Sequence, residues 1–96
     1  MITVHRNYQL QDANHFHAHV EINPIGQLDV DIIENKQHHQ AEFEELKFEK
    51  TSKHTRLCAT HGKQRWQVAL DDKDAKELDR LIREANEEFE TLMRDL

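Results

Sequence analysis

The chain has 96 residues, of which 36% are hydrophobic and 33% charged, and its formal net charge is −6 at neutral pH. This length allows one modest core, so we treat residues 1–96 as a single domain. The low apolar fraction argues against a large core, and no apolar run is long enough to span a membrane. A single cysteine, Cys58, cannot form a disulfide within the chain, so we expect a soluble protein of the cytoplasm.

Alternating apolar and polar residues predict six β-strands in the first three quarters of the chain. Their approximate bounds are 2–10, 15–23, 27–34, 42–50, 54–61 and 65–70. The segment 35–41 is expected to form a polar loop, and Phe43 falls out of phase and predicts a bulge. Three-residue hairpin turns are expected before and after the second strand, with Asn14 and Gly26 taking a positive φ.

The last quarter of the chain predicts one long helix, about residues 72–96. Apolar residues recur there every three or four positions, which gives a single apolar stripe. Asp71 or Asp72 is the expected N-cap. The predicted fold is therefore α+β: a six-stranded antiparallel β-meander, forming a curled sheet, followed by one long C-terminal helix.

One helix covers about half of a six-stranded sheet, because strands lie ~4.8 Å apart and a helix is about 10–12 Å across. We therefore expect a second copy of the chain to supply another helix and form a homodimer. The predicted dimer interface is the apolar stripe of the helix: Leu78, Ile82, Ala85, Phe89, Leu92 and Leu96.

Three histidines alternate with apolar residues between His15 and His19, so all three are expected on the outer face of the sheet. The two predicted turns align His5, Glu21 and Asp29 in one row across the strands, and Asn7, His19 and Asp31 in the next row. The candidate ligands for a divalent transition metal such as Zn²⁺, Mn²⁺ or Ni²⁺ are His5, His19, Glu21, Asp29 and Asp31. The alternatives are a solvated polar face and a pH-responsive polar interface, since histidines titrate near neutrality.

Charge is unevenly distributed along the chain. The segment 47–65 carries a net charge of +5, whereas the segments 1–46 and 66–96 carry −6 and −5. The candidate nucleic-acid or partner contacts in this basic window are Lys47, Lys50, Lys53, Arg56, Lys63 and Arg65. Such cations can follow a phosphate backbone, but Trp66 is expected to face inward and so offers no platform for base stacking. The alternatives are a solvated basic face and a face matched to an acidic protein.

The hairpin from Val20 to Ile32, which carries Gly26 and the run Val30-Asp31-Ile32, resembles part of the Whirly-type single-stranded-DNA-binding coactivators. The final strand and its helix resemble the same layout. This resemblance implies a nucleic-acid ligand. The chain departs from that layout in two extra strands and in an acidic first hairpin.

We find no catalytic triad order, activated-cysteine signature or phosphate-binding loop in the sequence, so we expect no enzymatic activity. Cys58 is expected beside Lys47 without a catalytic role. Arg6 interrupts an apolar strand face, and the alternatives for it are a pair with a helix carboxylate such as Glu84 or Glu88, a position at an interface edge, or a packed stem with the charged head in solvent. We predict a small regulatory, adaptor or inhibitor protein that acts through protein–protein contacts. The alternatives are a nucleic-acid-binding module and a metal-binding protein. No cofactor is expected apart from the divalent transition metal of the second alternative.

Overall fold

The computed structural model describes residues 2–94, with every side chain in that range except that of Leu92. Within that range it contains seven β-strands, a 3₁₀ turn and an α-helix. In chain order these are β1 (Val4–Gln9), β2 (His17–Asn23), β3 (Gln27–Ile32), β4 (Gln37–Glu42), the 3₁₀ turn (Phe43–Glu45), β5 (Leu46–Lys50), β6 (Thr55–His61), β7 (Gln64–Leu70) and α1 (Asp72–Arg94). The α+β class predicted from the sequence is confirmed.

The strands form two antiparallel sheets, so the expected single curled sheet of six strands is wrong. Sheet A has the order β1-β2-β3-β4 and sheet B the order β5-β6-β7, and neither is strongly curled. Part of the predicted loop pairs with β3 as β4, and the 3₁₀ turn then interrupts the predicted fourth strand. In this turn the Glu45 side chain accepts the N–H of Glu42 (2.8 Å), so Phe43 belongs to a capped turn and not to a bulge.

The strand registers around β2 agree with the sequence prediction. His5 of β1 lies opposite Glu21 of β2, and Glu21 lies opposite Asp29 of β3. Gly26 has a φ of 106°, as expected for the second hairpin turn. In the first turn the positive φ (51°) belongs to His15, which corrects the expectation for Asn14.

Apolar side chains from both sheets and from α1 form one core. α1 packs against β2 of sheet A and β6 of sheet B, so one helix contacts both sheets. The largest fully buried side chains are Val20, Ile22, Leu28, Val30, Leu57, Leu70 and Leu78. Asp71 is the N-cap of α1, because its carboxylate accepts the N–H of Lys73 (3.1 Å) and its carbonyl accepts the N–H of Ala75 (2.9 Å).

Contacts at two places join the sheets. A β-bridge between Leu10 and Leu70 links the chain just after β1 to the end of β7. Trp66 of β7 donates its indole N–H to the carbonyl of Gln40 in β4 (3.2 Å). The Trp66 ring also stacks on His39, with ring centroids 5.3 Å apart. Trp66 therefore faces inward, as the sequence predicts, and connects sheet B to β4.

Arg6 and Tyr8 of β1 both contact Glu77 of α1. The Tyr8 hydroxyl donates to Glu77 Oε1 (2.8 Å), and Arg6 Nε lies 3.5 Å from the same oxygen. Burial and this hydrogen bond raise the pKa of the Tyr8 phenol. Arg6 thus pairs with a helix carboxylate, but with Glu77 and not with Glu84 or Glu88.

The helical stripe predicted as a dimer interface packs against the chain's own sheets along its first half. Leu78, Ile82 and Ala85 are buried within the single chain. Phe89 is only partly buried, and its side chain packs against the Gly26 turn. Leu96 and the side chain of Leu92 lie outside the described residues, so the dimer stays a prediction.

No helical segment between residues 2 and 94 combines the length and the apolar character that a membrane crossing requires.

Candidate functional site

The outer face of sheet A, opposite the core and α1, consists of polar side chains, and we call it the histidine–acid face. Its strand residues are His5, Asn7, Gln9, His17, His19, Glu21, Asn23, Gln27, Asp29, Asp31, His38, Gln40 and Glu42. They share this face because successive side chains of a strand point to opposite sides, and the residues between them supply most of the buried positions of sheet A.

Two histidines of this face meet across β1 and β2. His5 Nδ1 lies 3.2 Å from His19 Nε2, and the two rings are stacked with centroids 5.3 Å apart. The second nitrogen of His19, Nδ1, lies 2.9 Å from Oδ1 of Asn7. An amide oxygen only accepts hydrogen bonds, so Nδ1 of His19 is the donor in this contact.

A third histidine, His38 of β4, contacts two aspartates of β3. Its Nδ1 is 2.5 Å from Oδ1 of Asp31, and its Nε2 is 3.3 Å from Oδ1 of Asp29. The hydrogen bond to Asp31, together with the charges of both carboxylates, raises the pKa of His38. Burial raises the pKa of Asp29, and the facing Glu21 carboxylate raises it further.

The fourth histidine, His17, pairs with a carboxylate in the turn that follows β3. Its Nδ1 lies 2.5 Å from Oε2 of Glu34, and its backbone N–H donates to Oε1 of the same residue (2.7 Å). These bonds lower the pKa of Glu34. His17 and His19 therefore share a face but contact different partners.

The structure brings together only part of the predicted metal-ligand set. His5 and His19 meet, whereas Asp29 and Asp31 pair with His38. Among the described residues, no three histidine, cysteine or acidic side chains converge closely enough to hold a metal ion. Sequence reasoning missed His38 because its segment was predicted to be a loop.

We expect the contribution of His38 to stability to be larger at about pH 6 than at about pH 8.5. The raised pKa means that Asp29 and Asp31 stabilise the charged imidazole in the folded protein. This stabilisation is fully present below the ordinary histidine pKa of about 6.5 and is lost as the pH rises through the higher folded value. Thermal melts of the wild type and of His38→Gln at both pH values measure it. The gap in melting temperature should be wider at the lower pH, and equal gaps would contradict the pairing.

The outer face of sheet B forms a second polar surface, which we call the basic hollow. It is a cavity of about 670 Å³, and its lining includes Lys47, Arg56, Cys58, Arg65 and Gln67. Lys47 lies directly opposite Cys58, as the sequence predicts. The Cys58 thiol is 3.8 Å from Oε1 of Gln67.

Acidic side chains offset much of the positive charge in the basic hollow. Glu49 Oε2 lies 3.2 Å from Arg56 Nη2, and Glu49 Oε1 lies 4.0 Å from Lys47 Nζ. Glu45, at the rim, is 2.9 Å from Nδ1 of His61. The hollow is therefore a surface of mixed charge and not a continuous basic track.

The other predicted basic contacts lie outside the lining of the basic hollow. Lys50 bonds to Asp72 at the start of α1, and this bond, together with one from Thr55, lowers the pKa of Asp72. Lys53 lies in the turn between β5 and β6, and Lys63 lies in the turn between β6 and β7. Three of the six predicted cations, Lys47, Arg56 and Arg65, line the hollow itself.

Comparisons of the chain with protein-family models, with curated proteins and with solved structures found no match. The layout shared with the Whirly-type coactivators therefore gains no support from them, and the functional proposal below rests on the two surfaces.

Proposed function

We propose that this protein is a non-enzymatic binding protein of the cytoplasm that contacts a basic surface of another protein through its histidine–acid face. The observation that supports this most strongly is the composition of the face. It carries four histidines and four carboxylates on one sheet surface, with no lysine or arginine among the strand residues named above. A regulatory, adaptor or inhibitor role is compatible with such a surface.

The charge of the histidine–acid face at neutral pH selects the kind of partner. A free imidazole has a pKa of about 6.5, so most histidines are uncharged at about pH 7.5, whereas carboxylates are ionised. A surface of this kind attracts lysine and arginine side chains and repels a phosphate backbone. His38 gains its charge as the pH falls, at a higher pH than a free imidazole because Asp31 and Asp29 raise its pKa, and this charge offsets part of the negative charge, so contact with a basic partner should weaken at lower pH.

The size of the histidine–acid face indicates a weak, electrostatically steered contact. Four strands and six residues per strand give a plane of roughly 19 by 20 Å, or about 400 Å². A standard interface buries roughly 800 Å² on each partner and is anchored by aromatic or arginine side chains. The polar strand residues of this face therefore contribute more to the rate and selectivity of association than to high affinity.

We also propose that two copies of the chain associate through the far end of α1. Apolar side chains are exposed around this end: Met93 is 54% exposed, Ile25 is 57% exposed, and Phe89 is only partly buried beside Gly26. Exposed apolar side chains gathered at one place are typical of contact surfaces. Phe89 is one of the interface positions predicted from the sequence, and Met93 follows the next of them, Leu92, in the chain.

Replacing Met93 with aspartate should convert the dimer to a monomer, because it places a charge in the proposed contact. Phe89→Asp should do the same, but it also removes the packing of Phe89 on the Gly26 turn, so Met93→Asp is the cleaner variant. Sedimentation velocity at high micromolar concentration measures the change. A wild-type protein that sediments as a monomer under these conditions would contradict the proposed dimer.

The proposed contact face can be tested with a fluorescent ten-residue lysine peptide as the probe for a basic surface. The double variant Glu21→Lys and Asp31→Lys should weaken binding at least about tenfold at about pH 7.5, because both carboxylates lie on the histidine–acid face. The matched control is Glu87→Lys with Glu88→Lys, which makes the same change in net charge on the exposed side of α1. Fluorescence anisotropy gives the dissociation constants.

Equal weakening by the two double variants would show that only net charge matters and would contradict the proposal. Tighter binding of a DNA or RNA oligonucleotide than of the lysine peptide at physiological salt would also contradict it. That result would favour the basic hollow and a nucleic-acid ligand.

A further inference from the structure

The contact between His5 and His19 has a geometry that the proposed protein contact does not explain. The two imidazoles belong to adjacent paired strands, and each side chain remains accessible to solvent. A ring nitrogen of each histidine faces the other at 3.2 Å. His5 lies opposite Glu21 and His19 opposite Asn7, so the two histidines are diagonal neighbours on strands of fixed spacing, roughly 7–8 Å apart and within reach of two imidazole rings.

We propose that His5 and His19 together bind one divalent transition-metal ion, with His5 Nδ1 and His19 Nε2 as the ligand atoms. Zinc–imidazole bonds are about 2.0–2.1 Å long, and two ligands of a tetrahedral ion are therefore roughly 3.3 Å apart. The 3.2 Å separation of the two nitrogens is close to this spacing.

Asn7 supplies the second observation that points to a ligand site. Its Oδ1 lies 2.9 Å from Nδ1 of His19, and this contact orients the ring so that Nε2 is turned toward His5; in a neutral imidazole that donates from Nδ1, Nε2 is the nitrogen with the free lone pair. Histidines that bind metals usually donate their other ring N–H to such an oxygen, and this partner raises the basicity of the ligating nitrogen. Asn7 is therefore a positioning residue for His19.

Two nitrogens from the protein leave the remaining coordination positions to water. A ligating nitrogen has to be unprotonated, so when the metal binds, a charged His5 releases its Nδ1 proton to solvent and keeps the one on Nε2, and a neutral His5 carries its single proton on Nε2. Affinity at such an imidazole site follows the order Cu²⁺ above Ni²⁺ and Zn²⁺. The carboxylates Asp29 and Asp31 take no part, since both contact His38.

Isothermal titration of the untagged protein with CuCl₂, NiCl₂ and ZnCl₂ tests this proposal. We expect one ion per chain, with Cu²⁺ bound most tightly. His5→Ala and His19→Ala should each lower the affinity at least about tenfold, and Asn7→Ala should lower it by about tenfold through loss of the orienting bond. Circular dichroism confirms that each variant is folded, as expected for side chains on the outer face.

The matched control is His17→Ala, which removes another histidine of the same strand and face. His17 pairs with Glu34, so this variant should leave the affinity unchanged. An equal loss in His17→Ala would show that the ion is held along β2 and not across the two strands, which would overturn the proposal. Unchanged affinity in His19→Ala, or no binding of any of the three ions to the wild type at millimolar concentration, would overturn it as well.

Discussion

Replacing Trp66 with alanine is expected to lower the free energy of unfolding by about 3–5 kcal/mol. The indole is 8% exposed and belongs to the core, and it supplies both the stacking on His39 and the hydrogen bond to the Gln40 carbonyl. The variant therefore leaves a cavity and also leaves a carbonyl of β4 without its donor. Urea denaturation measures the loss. Unfolding is followed by far-ultraviolet circular dichroism and not by tryptophan fluorescence, because Trp66 is the single tryptophan of the chain and the variant lacks it.

Trp66→Phe is the matched control for this prediction. It keeps an aromatic ring in the core but lacks the N–H that reaches Gln40, so loss of the hydrogen bond should lower the free energy of unfolding by about 0.5–1.5 kcal/mol. The smaller ring also leaves part of the cavity that alanine would leave, which adds to this loss. A loss below about 1 kcal/mol in Trp66→Ala would show that this residue does not connect the two sheets.

Leu78→Ala is expected to cost about 2–5 kcal/mol, because Leu78 is fully buried in the core shared by α1 and the two sheets. A chain of this size has a total stability of roughly 5–14 kcal/mol, so the loss is a large fraction of it. The midpoint of urea denaturation, measured at two protein concentrations, gives the value and shows whether dimer dissociation contributes.

The control on the same helix is Glu87→Ala, which removes an exposed side chain outside the proposed dimer contact and should change the free energy of unfolding by no more than about 0.5 kcal/mol. If Leu78→Ala cost as little as this control, α1 would not pack on the sheets of its own chain. The pair of variants thus separates the buried face of α1 from its exposed face.

The registers around β2 could be predicted from sequence because they depend on local turn chemistry. Gly26 marks the second turn, and three-residue turns on both sides of one strand determine which residues lie opposite each other. The meeting of His5 with His19 follows from those registers. The role of Asn7 in orienting His19 could not be predicted, since it depends on side-chain rotamers.

Strand β4 could not be predicted because its sequence carries almost no strand signal. Its six residues include one fully buried apolar side chain, Ala41, and the others are Gln, His and Glu. Pairing with β3 and the stacking of His39 on Trp66 hold it in the sheet. The position of His38 between two aspartates was missed for the same reason.

The division into two sheets left a partial signal in the sequence. Phe43 is out of phase with its neighbours, and Glu42 with Glu45 forms a capping box around the 3₁₀ turn. Both features lie where the predicted fourth strand breaks. The apolar stripe of α1 could not distinguish the chain's own sheets from a second chain, because both kinds of packing require the same 3–4 spacing.

The histidine–acid face is the proposed binding surface for the basic partner. The most direct test is nuclear magnetic resonance of ¹⁵N-labelled protein titrated with the ten-residue lysine peptide at about pH 7.5. We expect the largest amide shifts on the outer face of sheet A, around Glu21, Asp29 and Asp31, and only small shifts in sheet B. These shifts should be smaller at about pH 6 than at the higher pH, because His38, whose pKa Asp31 and Asp29 raise, is charged at the lower pH. Shifts concentrated in the basic hollow, or no shifts in sheet A at millimolar peptide, would contradict the proposed contact face.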